Sequence, residues 1–600
     1  MLNGRLYRSA CVPLVLAVVV VAFSLGGRPP GVSSGLAPDA FDGKRASATL
    51  SDMAARWPTR RPGSVGDEGV ARFVAGRFST ASAQGGPQGG RASGARSTFA
   101  VSEQRFDGST IDGRRTLTTV IAQRPGNSER QIVLLAHRDA AAPLSRAELS
   151  GTAALLELSR VLSQRVTTHS LTLASTSGGS GGDAGAVDLA RRLGGPVDGV
   201  IVLGDVAGQR AHKPFVTPWY DAPGSAPVSL QRTVGAAITA EVGTVAGAEG
   251  LLSQFVHLAL PFATGEQGVL GAAGLPAVTV QVSGERGPSP AEPVSTERMQ
   301  NFGRAVLRAV GAVDADRRPG ASPEQVMVIA RQIVPTWAMR LLVAAALLPA
   351  LVATLDAFAR VRRRREAVGP WVGWAVACAL PFLACALAAV LLGRVGLLPA
   401  PAAPPPPGVL SLRGGLLAGV VACLLVLVLA WVAWPRLARR LVAGASPGSA
   451  AGGVAVLAVL EAVAVACWAR DPYTALLLVP AVNLWLLVAA PDLRPPRAAA
   501  MAIVAAGAGA PAAVVAVHAH QLGMDLSQAA WTALLLVSGG QAGVLGVALW
   551  SLALGCLVGA AMLALRGQAA PAPAGPLSVR GPLGYAGPGS LGGTESALRR

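Results

Sequence analysis

Long runs of apolar residues constrain this chain more than any other feature. A helix needs about 20 consecutive apolar residues to cross the hydrocarbon core of a bilayer. We find eight runs of about that length, and they predict eight membrane-crossing helices, near 9–26, 338–359, 370–393, 414–434, 450–468, 473–490, 498–518 and 543–565. Only 14% of the residues are charged, against about 25% in a soluble protein. Residues 338–565 are therefore expected to form an all-α transmembrane bundle of about seven helices.

The formal charge of +18 could suggest a nucleic-acid partner, but its distribution argues against one. The hydrophilic stretch between Gly27 and Pro335 holds 31 basic and 26 acidic residues, so its net charge is only +5. The remaining excess lies in and around the apolar runs, where membrane topology explains it. We therefore expect the lipid bilayer as a partner, and no nucleic acid.

The arginines also predict an orientation, because loops on the cytoplasmic side are enriched in positive charge. Sixteen arginines fall on one side of the predicted spans, in residues 1–8, 360–366, 435–441, 491–497 and 566–600, and about four fall in the short loops on the other side. This pattern places residues 1–8 and a disordered tail, 567–600, in the cytoplasm. It places residues 27–335 outside, with the plasma membrane as the expected location.

Three segments leave room for interpretation. Residues 9–26 follow Arg5 and Arg8, which favours an uncleaved signal-anchor, with a cleaved signal peptide as the alternative. Residues 526–542 could be an interfacial helix, a re-entrant segment or a further span. The proline-rich segment 399–408 is typical of a polyproline-II spacer on the outer side.

The outer region alternates predicted strands and helices, which indicates an α/β domain with a central, mostly parallel sheet and helices on both faces. We expect strands at 116–124, 131–137, 170–176, 199–206 and 275–282, and helices at 66–80, 150–165, 184–193 and 296–313. Ser150 is the expected N-cap of its helix. The Gly-rich stretch 81–97 is expected to be a flexible insertion. All six cysteines lie in apolar runs, so this domain has neither a disulfide nor a thiolate metal site.

Polar residues follow two predicted strands at the edge where α/β domains collect their sites. QIVLLAHRD places His137 and Asp139 at a strand end, where an imidazole could bind a metal ion with the carboxylate behind it. GVIVLGDVAG places Asp205 beside a glycine-rich turn. Taken alone, each of these residues is more readily interpreted as an ordinary solvent-facing strand end than as part of a site, and Asp205 is the weaker signal. The third strand, SLTLAST, leads into SGGSGG and has no carboxylate before Asp183.

Taken in order, these pieces resemble the co-catalytic zinc aminopeptidases, metallopeptidase family twenty-eight or aminopeptidase Y-like. The resemblance covers about 115–315, and SGTAALLELSRVL is its most specific stretch. It implies a zinc-peptidase-like α/β sandwich with two zinc ions that share one bridging Asp. It also implies that His137 and Asp205 correspond to zinc ligands and that Asp139 orients His137.

Other positions depart from the family pattern. The bridging Asp would fall at Ala147, and the general-base Glu and its neighbouring ligand Glu at about Gly179 and Ser180. The segment GEQG stands where the family often has an Asp-His pair, and no His lies between residues 283 and 300. Two-metal hydrolysis needs these ligands and a proton-transferring carboxylate. Glu148 or Asp183 are possible substitute ligands. His169, His212 and His257 lie outside the family pattern and are interpreted as ordinary surface or packing histidines.

Three functions follow as hypotheses. The first is a membrane-anchored pseudoenzyme that binds a peptide or protein partner or assembles a complex, without a cofactor except for a possible residual zinc ion. The second is an active metallopeptidase with replaced ligands. The third is a transporter or lipid-handling protein, for which the intramembrane Glu461 is a candidate ion or headgroup contact; the plainer interpretation is a Glu hydrogen-bonded to a neighbouring helix. The overall plan is similar to that of the attachment-factor subunit of the glycosylphosphatidylinositol transamidase, an analogy of architecture alone.

Overall fold

The computed structural model describes residues 4–33, 38–84, 98–247, 249–318, 320–412, 414–442, 450–489 and 495–566. Within these ranges an α/β domain is followed by a group of long apolar helices. The strands are β1 Gly26–Gly27, β2 Ala100–Thr110, β3 Gly113–Arg124, β4 Ser128–His137, β5 His169–Thr176, β6 Val197–Leu203, β7 Val216–Thr217, β8 Ala277–Val280, β9 Met327–Ile329 and β10 Gln332–Val334.

The helices fall into two sets that meet at residue 336. Those before it are α1 Gly4–Ala10, α2 Val12–Phe23, α3 Gly43–Arg56, α4 Val65–Gln84, α5 Ser150–Ser163, α6 Ala184–Arg192, α7 Val228–Val242, α8 Leu251–Ala259, α9 Gln267–Ala272 and α10 Thr296–Ala315, with a short 3-10 turn at Ala147–Leu149. Those after it are α11 Thr336–Arg363, α12 Gly369–Ala377, α13 Leu380–Arg394, α14 Gly415–Leu441, α15 Ala451–Arg470, α16 Pro472–Leu476, α17 Val479–Ala489, α18 Arg497–Gly507, α19 Gly509–Gln521, α20 Leu526–Ser538 and α21 Gly543–Arg566.

Seven strands form the central sheet of the α/β domain, in the order β2-β3-β5-β4-β6-β8-β7. The four strands β5, β4, β6 and β8 pair in parallel, and antiparallel pairs flank them on both sides. Residues 131–136 of β4 are all buried. Since successive side chains point to opposite faces of a sheet, burial of six in a row means that both faces are covered. The expected α/β fold class with a mostly parallel sheet is therefore confirmed.

The predicted strands and helices of this domain are present, with ends that differ by a few residues. The sequence patterns did not identify β2, β7 and helices α3, α7, α8 and α9. Strand β2 is an edge strand with mostly exposed residues, so it lacks the apolar run that marked its neighbours. Of the predicted flexible insertion, residues 81–84 are the last turn of α4, and 85–97 lie outside the described residues.

The prediction that Ser150 caps its helix is wrong. Ser150 is the first residue of α5, and the 3-10 turn that precedes it already has helical backbone angles. The Ser150 hydroxyl instead accepts a hydrogen bond from the Val206 backbone N–H at 2.9 Å. The next residue, Gly151, has no side chain, which lets α5 approach β6 closely. A Cβ added there would lie 2.2 Å from the carbonyl oxygen of Leu203.

Within the part of the chain that the structure describes, seven helical segments are long and apolar enough to cross a membrane: Arg5–Phe23, Thr336–Arg363, Gly369–Arg394, Gly415–Leu441, Ala451–Arg470, Pro472–Ala489 and Gly543–Leu565. The bent pair of Arg497–Gly507 and Gly509–Gln521 is an eighth if it counts as one span. These helices are compatible with a multi-pass membrane protein.

The expected single helix at 498–518 is instead two helices, α18 and α19, that meet at an angle of 48°. Pro511 lies in the first turn of α19. A proline lacks the N–H for the bond to residue i−4 and its ring crowds that carbonyl, which explains a break near residue 507. The ambiguous segment 526–542 contains the 13-residue apolar helix α20, shorter than a straight span.

The proline-rich segment 399–408 packs against other parts of the chain instead of extending into solvent. Pro401, Ala403, Pro404 and Pro405 are buried. The backbone N–H of Ala402 donates to the carbonyl oxygen of Ser109 at 3.1 Å, and Ser538 donates to that of Pro399 at 2.8 Å. The segment therefore connects β2 to α20, and its interpretation as a spacer is corrected. The predicted disordered tail, 567–600, lies outside the described residues.

The N-terminal helices contact the helix bundle directly. Helices α1 and α2 pack against α11, and the Tyr7 hydroxyl donates to Asn483 Oδ1 at 2.9 Å. Strand β1, which follows α2, pairs with β10, which leads into α11. The first apolar segment is thus joined to the bundle by both side-chain and backbone contacts.

Candidate functional site

A cleft of about 1010 Å³ lies at the carboxyl ends of the parallel strands β4, β6 and β8. Its inner wall includes His137, Glu148, Asp205 and Glu266. The cleft is also lined by residues 406–409, at the end of the proline-rich segment, and by His520, Gln521 and Gly523, at the end of α19. The cleft therefore lies between the α/β domain and the apolar helices, and we call it the junction cleft.

Asp139 is held by the glycine-rich loop that follows β5. Its Oδ1 accepts hydrogen bonds from the N–H groups of Gly178 and Gly179, at 2.8 and 3.1 Å, and its Oδ2 accepts from the N–H and hydroxyl of Ser180. Four donors satisfy this fully buried carboxylate. The loop also packs closely on His137, because a Cβ added to Gly179 would lie 2.4 Å from His137 Cβ.

His137 faces a carboxylate that the sequence patterns did not single out. Its Nδ1 lies 3.8 Å from Glu266 Oε2, and Glu266 Oε1 accepts a 2.5 Å hydrogen bond from Thr176. Burial would lower the pKa of His137, but Glu266, with Asp139 and Glu148, outweighs it and raises that pKa to about 9. The segment GEQG, at 265–268, overlaps the start of α9 and was the one available sign of Glu266.

Asp205 lies two residues after β6, where its backbone turns. Its Oδ1 accepts hydrogen bonds from the N–H groups of Ala207 and Gly208, at 3.0 and 2.7 Å, and from the Ser150 hydroxyl at 3.2 Å. Its Oδ2 is buried and has no hydrogen-bond partner. Burial raises the pKa of the Asp205 carboxyl, because it outweighs the hydrogen bonds from those donors, which lower the pKa.

Glu148 lines the cleft close to both His137 and Asp205. Burial has the largest effect on the pKa of Glu148 and raises it to about 7, although the charges of His137 and Arg60 act in the opposite direction. Its Oε2 is buried without a hydrogen-bond partner. Of the two predicted substitutes, Glu148 is therefore the one that lies beside His137 and Asp205.

Asp183 is placed elsewhere. It is fully buried in a left-handed backbone conformation, φ 44°, ahead of α6. Its carboxyl neighbours are Glu266 and Asp221, and burial together with their charges raises its pKa well above the ordinary value. Asp183 is thus grouped with Glu266 and Asp221 and does not itself line the cleft.

A two-zinc centre of the expected type does not fit these residues. Ala147, at the bridging-ligand position, and Gly179, at the general-base position, offer no side-chain donor atom. The Asp139 carboxylate already accepts four hydrogen bonds. Among the described residues, the only three His, Cys, Asp or Glu donors that lie within 4.8 Å of one another are those of Glu249, His257 and Glu285. His137, Glu148 and Asp205 line the same cleft, yet their donor atoms do not meet that distance together.

The Glu249, His257 and Glu285 cluster was missed from the sequence, where His257 was interpreted as an ordinary packing residue. His257 lies on α8, and the two acids lie in separate loops, so no local spacing connects the three. Glu249 and Glu285 line the junction cleft.

Glu461, the predicted intramembrane acid, is buried in α15 and accepts a 2.6 Å hydrogen bond from the hydroxyl of Thr354 in α11. This contact joins two neighbouring helices, which is the plainer of the two interpretations that the sequence left open.

Comparisons with known proteins find no matching family model and no matching curated protein. Solved structures do match. A glutaminyl cyclase from Fimbriiglobus ruber is 16% identical, covers 45% of this chain and 95% of its own, and has a TM-score of 0.35. A zinc aminopeptidase from Bacillus subtilis is 12% identical, covers 45% and 94%, and has a TM-score of 0.35.

A leucine aminopeptidase precursor from Bacteroides thetaiotaomicron is 14% identical, covers 48% of this chain and all of its own, and has a TM-score of 0.34. These identities are too low to carry an activity from one protein to another. The comparisons thus describe a likeness in fold over somewhat less than half of the chain.

Proposed function

We propose that this chain is a multi-pass membrane protein whose α/β domain lies outside the cytoplasm and binds an amino group of a peptide or protein partner, without hydrolysing it. The junction cleft is the binding site. A role within a membrane complex follows from this proposal, since the apolar helices hold the cleft beside the bilayer.

The packing of Gly179 against His137 carries the proposal. In the zinc aminopeptidase pattern, a general-base Glu would stand at about this position. Here an added Cβ would lie 2.4 Å from that of His137, so any larger side chain would require the loop to move. The same loop commits its N–H groups to Asp139. Residue 179 is thus closely packed and has no side chain that could transfer a proton.

The unpartnered carboxylate oxygens indicate what the cleft would bind. Glu148 Oε2, Asp205 Oδ2 and Glu266 Oε2 are all buried without a hydrogen-bond partner. Such oxygens are costly unless a donor reaches them. A peptide ammonium group offers three N–H donors and a positive charge, and it would satisfy them better than a neutral ligand.

Binding of short fluorescent peptides to the purified full-length chain in detergent tests this proposal. We expect a peptide with a free amino terminus to bind at least tenfold more tightly than its acetylated form. The isosteric variants Glu148→Gln and Glu266→Gln should reduce that preference, because each removes a negative charge. Glu103→Gln is the matched control, since Glu103 is exposed on β2 and outside the cleft.

The absence of hydrolysis is tested in parallel with aminoacyl-anilide substrates and added Zn²⁺, Mn²⁺ or Co²⁺. Metal-dependent turnover that disappears in His137→Ala and Asp205→Asn would overturn the non-catalytic part of the proposal. Equal binding of free and acetylated peptides would overturn the assignment of the ligand.

One observation favours an active metallopeptidase as a second candidate. Glu148 lies beside His137 and Asp205, and a pKa of about 7 suits a general base at neutral pH. If this candidate is correct, Glu148→Gln will abolish turnover and leave peptide binding largely intact. A loss of binding without any turnover in the parent chain supports the first candidate instead.

The orientation rests on the arginine asymmetry, and the proposal keeps the first apolar segment as an uncleaved signal-anchor in the plasma membrane. Retention is supported by the pairing of β1 with β10 and by the packing of α1 and α2 on α11. Removal of residues 9–26 would expose an apolar face of α11. The plan of an anchor, a peptidase-like outer domain and a bundle of spans supports a role in complex assembly like that of the attachment-factor subunit.

A further inference from the structure

The cluster of Glu249, His257 and Glu285 forms a second polar group in the junction cleft, apart from His137. His257 lies on α8, Glu249 just before it, and Glu285 in the loop after β8. The His257 side chain is only 2% exposed, and those of Glu249 and Glu285 are 10% and 12% exposed. One imidazole and two carboxylates thus lie close together and largely shielded from solvent.

The histidine of this cluster has no hydrogen-bond partner. Neither His257 Nδ1 nor Nε2 has one, and Glu285 Oε1 is also unsatisfied. A buried imidazole without a partner is costly, so its nitrogens should have a ligand. The two nearby carboxylates do not provide a hydrogen bond in suitable geometry, although they lie close to His257 Nε2.

The distances match those between ligands of one metal ion. His257 Nε2 lies 3.2 Å from Glu285 Oε2 and 3.7 Å from Glu249 Oε2. Two ligand atoms that are each about 2.0–2.2 Å from a tetrahedral zinc ion are about 3.3–3.6 Å apart. The three donors would therefore need only small shifts to share an ion.

Neighbouring groups orient the two side chains that would bind this ion. Trp219 Nε1 donates to Glu249 Oε1 at 2.5 Å, and the Ser253 hydroxyl donates to Oε2 at 2.6 Å. The Trp219 ring stacks on His257 with centroids 4.7 Å apart and an interplanar angle of 9°. Such support is typical of metal ligands, whose orientation depends on the groups behind them.

The cluster also meets the apolar helices. The ring of His518, on α19, lies edge-on to His257 with centroids 5.1 Å apart, and both His518 nitrogens are buried without a hydrogen-bond partner. A further imidazole thus lies close enough to approach the same position. Because Glu249 and Glu285 line the junction cleft, the cluster is reached from that side.

We propose that Glu249, His257 and Glu285 bind one zinc ion at the junction between the α/β domain and the apolar helices. Imidazole with carboxylate suits Zn²⁺ better than Mg²⁺ or Ca²⁺, which prefer all-oxygen ligands. Three protein ligands leave one position, which water from the cleft or His518 fills. The site goes beyond the proposed function, since peptide binding at His137 does not require it.

Zinc titration of the full-length chain, purified in detergent without a polyhistidine tag and stripped with chelator, tests the site. We expect one zinc ion per chain by mass spectrometry of the metal, and a visible spectrum typical of four-coordinate Co²⁺ on cobalt substitution. Glu285→Gln and His257→Gln should each weaken zinc binding at least tenfold. Glu103→Gln is the matched control, because Glu103 is exposed on β2 and does not line the junction cleft.

Trp219→Phe provides a variant that keeps all three ligands. It removes the N–H bond to Glu249, and we expect zinc affinity to fall by about 10–100-fold, as for other groups that orient a ligand. It also keeps the proposal testable if a ligand variant fails to fold.

The zinc site is overturned if the chain binds no zinc, or if zinc is retained in Glu285→Gln, His257→Gln and Trp219→Phe alike. Zinc that is lost only in His137→Ala or Asp205→Asn would overturn this site and would also contradict the proposed function. Two zinc ions, one lost with each group of variants, would support this site and contradict only the proposed function.

Discussion

Several histidines of the α/β domain lie against carboxylates, and His169 has the closest partners. Its Nε2 lies 2.6 Å from Asp198 Oδ2 and its Nδ1 lies 3.1 Å from Asp314 Oδ1. The hydrogen bond to Asp314 is the largest effect on its pKa; with that to Asp198, it outweighs desolvation and raises the pKa. His169 thus joins the starts of β5 and β6 to the end of α10 through both nitrogens of its imidazole ring.

Substitution His169→Gln should therefore destabilise the chain in a pH-dependent way. Because the folded-state pKa is raised, the stabilisation is fully present below the unfolded value of about 6.5 and is lost as the pH rises through the folded value. We expect a loss of about 1.5–3 kcal/mol in the free energy of unfolding at pH 6, and a smaller loss at pH 9. Urea unfolding followed by tryptophan fluorescence at both pH values measures it, with His212→Gln as the control. An equal loss at both pH values would contradict the prediction.

At the same scale, the sequence pointed to His137, Asp205 and Glu148, which line the cleft, and to the positions that depart from the family pattern, but it did not identify every polar residue of the cleft. Ala147, Gly179 and Ser180 could be identified because the resemblance assigns a residue type to each position in the chain. Glu266 and His257 could not, because their importance comes from partners that are distant in sequence. Glu148 was weighed as a substitute from its place next to Ala147, and the structure does bring it to His137.

At the scale of elements, α11 and α15 are joined by a polar contact inside the apolar region. Thr354 donates to Glu461, and both side chains are buried. An acid in such a position is expensive unless a neighbouring helix satisfies it. The pair thus fixes how the two helices face each other.

Substitution Thr354→Val should cost about 0.6–1.7 kcal/mol in the free energy of unfolding, the range of hydrogen bonds between helices in membranes. Glu461→Gln should cost less, because the amide oxygen can still accept from Thr354. Unfolding in mixed micelles with increasing SDS measures both, and a double-mutant cycle isolates the pair. A loss of a transport or lipid-related function in Glu461→Gln, with stability unchanged, would instead favour the lipid-handling hypothesis.

The elements themselves were largely predictable where apolar periodicity was strong. Apolar runs located the long helices, because burial in lipid or protein requires length and low charge, which are local properties. The bend between α18 and α19 was missed although Pro511 was visible, because a proline near the middle of an apolar run can either kink a helix or be accommodated. In α11, Pro349 lies inside one continuous helix.

At the scale of the whole molecule, one part of the α/β domain packs into the hydrophobic core of the apolar helices, while the central sheet has a core of its own. Trp219 and residues of α8 pack in the same hydrophobic cluster as α11, α15 and α21. The Thr474 hydroxyl, on α16, donates to the carbonyl oxygen of Ala259 at 2.8 Å. The α/β domain therefore packs directly against the apolar helices, and residues of both line the junction cleft.

The proposed orientation predicts the labelling of single added cysteines in intact cells. Glu103→Cys, exposed on β2, should react with a membrane-impermeant maleimide. Arg364→Cys, exposed in the loop after α11, should react only after the cells are permeabilised. The unmodified chain gives the background, since four of its six cysteines are buried. The reverse pattern would place the α/β domain in the cytoplasm and contradict the orientation.

What the sequence by itself determined is the plan of the chain: an alternating α/β region between one apolar helix and a series of others, with several peptidase positions occupied by Ala, Gly and Ser. Only the tertiary structure decided that the proline-rich segment lines the cleft, that Glu266 faces His137, and that Glu249, His257 and Glu285 meet. The physical reason is the sequence separation of the residues that interact. Apolar periodicity is set by neighbouring residues along the chain, whereas the meeting of polar side chains from separate loops depends on how the packed elements are placed.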